Sequence, residues 1–384
     1  MTRVVLASDK FKGTLTAAEV AAHLRAGILD VRPDVEVTVV PVSDGGDGLL
    51  EVAARCGFEA VAVSGSGPTG QPVETWYARR GPEAAIEMAE VCGLLRLPGG
   101  ELAPATATSR GLGEVVAAAL DAGCTSILLG VGGSASTDGG AGLVSALGAA
   151  VRDRLGAQVP DGGAALEQAV VLDLTGLHPS LTGATVTVAC DVDNPLTGPT
   201  GAAAVYGPQK GADEHLVQRL DTALTHWADL VDLATGEDLR NRPGAGAAGG
   251  VGYGAMAALG ARLRPGTEVV QELTGLAEAV AGADLVVTGE GSLDAQTLHG
   301  KAPAGVADAA RRAGVPVVAV TGRCLLDPAT LAGAGIGATY SLVAQATYDA
   351  EPFEAPGPLL RQIGRRLAAE HLPLPVPADP ASGA

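Results

Sequence analysis

The sequence predicts an α/β protein of two domains, and three observations carry that expectation. At 384 residues the chain exceeds what one core ordinarily supports. A composition of 47% hydrophobic but only 3% aromatic residues, with 55 glycines, describes small-residue packing around many tight loops. The third observation is a recurring unit: a short β-branched run, a glycine-rich or acidic loop, then an alanine-rich helical stretch. Strands that alternate with helices build parallel sheets.

The elements follow in order. VVLAS (4–8) runs into DKFKGT and a helix starting at Thr16, where TAAE supplies a capping box through Glu19. VEVTVVPV (35–42) runs into SDGGDG and a helix over 49–54, and VETWYA (73–78) alternates like a strand with one wet face. TSILLGV (125–131) leads through GGSASTDGG into a helix reaching Ala149. TVTVAC (185–190) ends on DVDNPLTG, DLVVTG (284–289) on EGSLDAQTLHGK, and PVVAVTG (316–322) on a looser loop, while 151–184 and 236–252 are loop-rich. The two ends read as halves of one Rossmann/flavodoxin-like parallel-sheet domain, 1–62 plus 271–372, with a second α/β domain, 63–270, inserted into it. The proline- and alanine-rich segment 373–384 reads as a disordered tail.

A net charge of −18 and a pI of about 4.7 oppose nonspecific binding to nucleic acid or to an anionic membrane. Cys56, Cys92, Cys124, Cys190 and Cys324 are odd in number and widely spaced, which suits a reducing compartment rather than a disulfide framework or a zinc site. With no signal-peptide pattern and no apolar run long enough for a bilayer, the reading is a cytoplasmic protein.

Four lysines stand against twenty-one arginines, and all four lie in or beside glycine-bearing motifs: Lys10, Lys12, Lys210 and Lys301. A compact ammonium serves phosphate or carboxylate as a point charge, where a guanidinium imposes a planar fork. In open parallel sheets ligands bind beyond the carboxyl ends of the strands. Asp9, Lys12, Asp44, Gly132, Gly133, Asp138, Asp191, Asp193, Glu290, Asp294 and Lys301 all fall at such ends.

Each motif has a plainer alternative. The loop GVGGSASTDGG (130–140) follows a strand and opens a helix, so its backbone N–H groups suit an anion. It also approximates the dinucleotide fingerprint through Gly130, Gly132 and Ala135, with Asp153 further on, although tight turns alone would ask for the same glycines. A second approximate match, Gly244, Gly246 and Gly249, follows no strand. DVDNP (191–195) offers two carboxylates for Mg²⁺ or for a hydroxyl proton, against an Asx turn before proline. TGEGSLDAQTLHGK (288–301) gathers Glu290, Asp294, Gln296, Thr297 and Lys301, but its spacing is not that of a Walker A loop. The protein-kinase signature set and GxSxG are both missing.

Taken in order, DKFKGTLTA, VSDGGDG, GGSASTDGGAG, CDVDNPLTGPTGAA, YGPQKGA, PGAGAAGG and TGEGSLDAQTLHGK resemble the bacterial glycerate kinase family of the type that phosphorylates the 2-hydroxyl. The likeness spans residues 3 to 370. It implies ATP- and Mg²⁺-dependent phosphorylation of D-glycerate in the cytoplasm, on two α/β domains, with a homodimer as a candidate state. Asp9, Lys12, Asp44, Asp138, Asp191, Asp193, Lys210, Glu290, Asp294, Gln296 and Lys301 match the family pattern. Ser43, Thr137 and Lys10 depart from it, so Lys10 has the weakest case among the lysines.

Phosphoryl transfer asks for positioning and charge neutralisation. Asp191 is expected as the proton acceptor, with Lys12 and Lys301 neutralising phosphate or carboxylate. Gly132, Gly133, Ser134, Asp138, Lys210 and Glu290 are expected on the nucleotide, Asp9, Lys12, Asp44 and Gln296 on glycerate, and Asp193 and Asp294 on Mg²⁺. Two other classes stay open: an NAD(P)-dependent oxidoreductase of a small hydroxy acid, and a non-catalytic binder of small organic anions.

Overall fold

The computed structural model describes residues 1–11, 13–43, 48–298, 302–345 and 355–373, the side chains of 296 and 298 excepted. Lys12, Asp44, Lys301 and the side chain of Gln296 therefore lie outside the described residues, as does 374–384 of the expected tail. The chain divides into two compact units, Met1–Val42 with Thr274–Ala384, and Ser43–Leu273. The first crossing lies ahead of the residue 62 read from the sequence. The helix Leu49–Arg55 buries Leu49, Leu50 and Ala53 with Phe58, Ala78 and Val270, and Glu59–Ser66 is an edge strand of the second unit's sheet.

The first unit is built on five parallel strands in the order Ala338–Ser341, Val317–Cys324, Leu285–Leu293, Arg3–Ser8, Glu36–Val39. Numbered within the unit, that is the flavodoxin-like order 2-1-3-4-5, whose direction reverses between Arg3–Ser8 and Leu285–Leu293. Alternation along Arg3–Ser8 serves two cores: Val4 and Leu6 join one, Val5 and Ala7 the other, as a strand covered on both faces requires. Ala17–Val31 and Pro356–His371 supply the first core, Ala302–Ala313 the second. Thr16 and Glu19 form the expected capping box.

Two glycines set the approach of the paired helices. A Cβ at Gly27 would stand 2.0 Å from the Arg361 carbonyl oxygen, and one at Gly364 would stand 2.3 Å from that of Leu24. Asp30 then accepts from Arg361 Nε and Arg365 Nε, each at 2.8 Å, one turn along. Gly27→Ala should cost about 1–3 kcal/mol through overpacking, outweighing the ~1 kcal/mol that alanine gains over glycine in a helix. The unfolding midpoint reads it; an unchanged midpoint would mean that the helices separate without loss.

The second unit has a mixed sheet in the order Arg262–Arg264, Thr185–Ala189, Ser126–Gly130, Glu83–Glu87, Pro72–Arg80, Glu59–Ser66. The first four strands are parallel and the last two antiparallel. VETWYA lies in Pro72–Arg80 and buries Thr75 and Tyr77 on one face; on the expected wet face Ala78 is also buried, with Trp76 beside it, against Leu49–Arg55. The loop-rich stretch 151–184 folds partly as a two-stranded ladder, Ala150–Arg152 with Val171–Asp173. Near 247 the chain takes three left-handed residues in succession, Ala248 (φ 53°), Gly249 (φ 70°) and Gly250 (φ 94°), before the rest of Ala247–Leu259 winds as a helix.

Candidate active site

In the second unit, Ser126–Gly130 and Thr185–Ala189 are neighbours in register, so their carboxyl ends deliver the loops 131–140 and 190–195 side by side. Gly133, Gly139 and Gly140 have φ of 67°, 62° and 76°, which is why this loop needs glycine there. Two buried charges hold it from within. Lys210, 1% exposed, donates from Nζ to Ser134 Oγ at 2.8 Å and to the Ser136 carbonyl. Burial pushes its ammonium down to about 8, against the opposing pull of the Asp138 carboxylate.

Asp138 is fully buried and accepts from Ser109 N and Ser109 Oγ, both at 2.8 Å, and from Gly140 N and Gly142 N, both at 3.2 Å. Burial pushes its carboxyl up while those bonds oppose the shift. Its oxygens are turned to the fold, which makes it a brace for the loop. The hydroxyls of Ser136 and Thr137 are buried and have no hydrogen-bond partner among the described residues.

On the neighbouring loop, Asp191 is exposed and its Oδ1 accepts from Gly266 N at 2.9 Å, at the start of Gly266–Thr274. Asp193 is also exposed. Asn194 anchors the loop, accepting from the Tyr206 hydroxyl at 2.6 Å and donating to the Thr200 carbonyl at 2.8 Å. Gly132, Gly133, Ser134, Asp191, Tyr206 and Lys210 line one cavity of about 220 Å³, and Val131, Ala189, Val192, Ala247 and Ala248 complete its apolar wall. Four of the residues expected on the nucleotide thus meet the expected proton acceptor; Asp138 and Asp193 are not in that lining.

In the first unit, the topological switch places Asp9 beside Gly289, whose carbonyl accepts from Asp9 N at 2.8 Å. The carboxylate of Asp9 accepts from Lys10 N at 2.7 Å. Thr297, fully buried, organises the following loop: its hydroxyl bonds the Glu290 carboxylate, and its N–H donates to Asp294 Oδ1 at 3.3 Å. Glu290, still on the strand Leu285–Leu293, and Asp294 therefore share Thr297 as a partner. Among the described residues no group of three or more His, Cys, Asp or Glu clusters as a metal site. Asp193 and Asp294 belong to different units. As hard oxygen donors, both suit Mg²⁺, which is held through one or two carboxylates and phosphate oxygens rather than by a full protein cage.

Glu87 is a residue the motif reading missed. It is 4% exposed and accepts from Gly48 N at 2.9 Å and Leu50 N at 3.2 Å, tying the last residue of SDGGDG and the start of the next helix to a strand end. Its signal was an acid closing an apolar run, with no glycine beside it. Asp153, the acid in the approximate dinucleotide fingerprint, turns its Oδ1 to Leu155 N and Ala157 N in a local turn. Gly246 and Gly249 allow close backbone packing: a Cβ would stand 2.3 Å from the Pro195 oxygen and 2.1 Å from the Ser136 oxygen respectively.

Comparison with known proteins agrees along almost the whole chain. A model of the glycerate kinase family matches residues 4–372. Glycerate kinase of Bacillus subtilis (strain 168) is 41% identical over 373 residues, covering 96% of this chain and 97% of the relative. Glycerate 2-kinase of Escherichia coli (strain K12) is 40% identical over 371 residues, with 96% and 97% covered. A crystal structure from Salmonella typhimurium LT2, provisionally named glycerate kinase 2, matches with a TM-score of 0.86 at 40% identity, covering 96% of this chain and 97% of that one.

Proposed function

The chain belongs to the glycerate kinase family and is an enzyme of the kinase type, and on that premise we propose that it transfers the γ-phosphoryl group of ATP to the 2-hydroxyl of D-glycerate, with Mg²⁺, in the cytoplasm. The observation that carries this reading is the single cavity in which a glycine-rich loop, a buried lysine and an exposed carboxylate meet. The Escherichia coli relative, glycerate 2-kinase, supports the 2-hydroxyl over the 3-hydroxyl. No helix among the described residues is long and apolar enough to cross a membrane. The oxidoreductase and the non-catalytic binder give way to the kinase.

In the proposed mechanism the loop 132–134 presents backbone N–H groups to phosphate oxygens. Asp191, oriented by Gly266 N, takes the proton of the glycerate hydroxyl as its oxygen attacks the γ-phosphorus. The new O–P bond forms as the bond to the β-phosphate oxygen breaks, and ADP leaves. Asp193 and Asp294 are each assigned to Mg²⁺, which would supply charge neutralisation at the phosphates. Lys12 and Lys301 are assigned to phosphate or carboxylate, Asp9, Asp44 and Gln296 to glycerate, and Glu290 to the nucleotide side. Asp138 is reassigned from ligand contact to bracing the loop.

With ATP, Mg²⁺ and D-glycerate, ADP release should depend on glycerate, and the ³¹P spectrum should show 2-phosphoglycerate. Glycerate-independent or absent ADP release would overturn the activity. A 3-phosphoglycerate signal would overturn the regiochemistry alone.

A further inference from the structure

Lys210 is a buried cation for which no ion pair is found among the described residues. A desolvated ammonium costs several kcal/mol unless hydrogen bonds and charge return that energy, and a hydrocarbon of similar length would avoid the cost. Among the described residues Nζ bonds one loop, at Ser134 Oγ and the Ser136 carbonyl, across 76 and 74 positions of sequence. The Asp138 carboxylate opposes the effect of burial on this ammonium. The oxygens of Asp138 are already engaged with Ser109, Gly140 and Gly142. The ammonium is therefore spent on the loop's conformation.

The bond to Ser134 has a directional consequence. Its Oγ accepts from Lys210, so its own hydroxyl proton is available to donate elsewhere, and a donor polarised by an adjacent cation makes a stronger, charge-assisted bond to an anion. Ser134 lines the same 220 Å³ cavity as Gly132 and Gly133.

We infer that Lys210 is a positioning residue for nucleotide binding: its bonds to Ser134 and Ser136 brace the loop whose residues 132–134 face the triphosphate, and its charge reaches the phosphates through the Ser134 hydroxyl. This rests on the reading that the phosphates sit on this loop. Its effect belongs to the nucleotide and not to glycerate.

The test compares Lys210→Met, Ser134→Ala and the double variant with wild type, varying ATP at saturating D-glycerate and the reverse. Lys210→Met should raise KM for ATP about 10- to 100-fold, with kcat at saturation and KM for glycerate within about three-fold of wild type. Ser134→Ala should raise KM for ATP by about 3- to 10-fold, and the double variant should be no worse than Lys210→Met, because the two act in series. An activity-free readout comes from Trp227, one of two tryptophans, whose Nε1 donates to the Gly139 carbonyl at 3.1 Å. In a Trp76→Phe background its emission, titrated with ATP, should report the same weakening.

A wild-type KM for ATP in Lys210→Met, or parallel losses in kcat and both KM values, overturns the inference. Should Lys210→Met fail to fold, Ser134→Ala decides alone: an unmoved KM for ATP overturns it. A wild-type enzyme without ATP turnover sinks the functional reading, and this inference with it; turnover with unmoved variants sinks this inference only.

Discussion

Asp191→Asn lowers kcat by about 10²–10⁴-fold and leaves KM for both substrates near wild type. The substitution is close to isosteric, and the amide oxygen can still accept from Gly266 N, the contact that orients this side chain at 2.9 Å. The strand end is independently fixed, since Cys190 N donates to the Arg264 carbonyl at 2.9 Å. What disappears is the ability to take a proton. The competing account makes Asp191 only a cap on Gly266–Thr274. On that account Asp191→Asn is silent, and even Asp191→Ala costs only about 0.5–2 kcal/mol of stability with kcat intact. Steady-state kinetics of the two variants separate these outcomes. Asp193→Asn adds a contrast: a metal ligand's loss should be partly recovered by raising Mg²⁺, whereas that of a proton acceptor should not.

The fold was legible wherever a local pattern specifies it. VVLAS, TSILLGV, TVTVAC and DLVVTG are β-branched runs closed by a loop, and each contributes to a parallel strand. The position of the first crossing was not legible. Residues 48–58 are helical or loop-like by any local reading, and they join the second unit because Leu49 and Ala53 pack with Val270, more than two hundred residues on. The site divides in the same way. Rare lysines beside glycines pointed to Lys210, but not to its burial, because Ser134 is 76 positions away. Asp138 read as a loop acid facing a ligand; its bond to Ser109, 29 positions back, turns it inward. Glycine spacing was ambiguous for a physical reason: glycines that cradle phosphate and glycines that let two backbones touch look alike in one dimension. Gly133 shapes the loop, whereas Gly249 makes room beside it.

Gly249→Ala should be the most destabilising single-methyl change in the second unit's site. At φ 70° an added Cβ is strained wherever it points, at a cost of roughly 1–2 kcal/mol. It would also stand 2.1 Å from the Ser136 oxygen and 2.7 Å from the Thr137 Cα, backbone atoms with no rotamer to yield. Overpacking of that kind adds about 1–3 kcal/mol. Gly260→Ala isolates the two contributions. Gly260 has φ 63° at the end of Ala247–Leu259, and its Cβ would meet nothing within 4 Å. The difference in unfolding free energy between the variants should therefore equal the packing contribution alone. Because the displaced Ser136 carbonyl also accepts from Lys210, Gly249→Ala should raise KM for ATP, and Gly260→Ala should not. Equal destabilisation with equal kinetics would leave backbone strain as the whole effect, and would separate the left-handed segment from the loop it packs against.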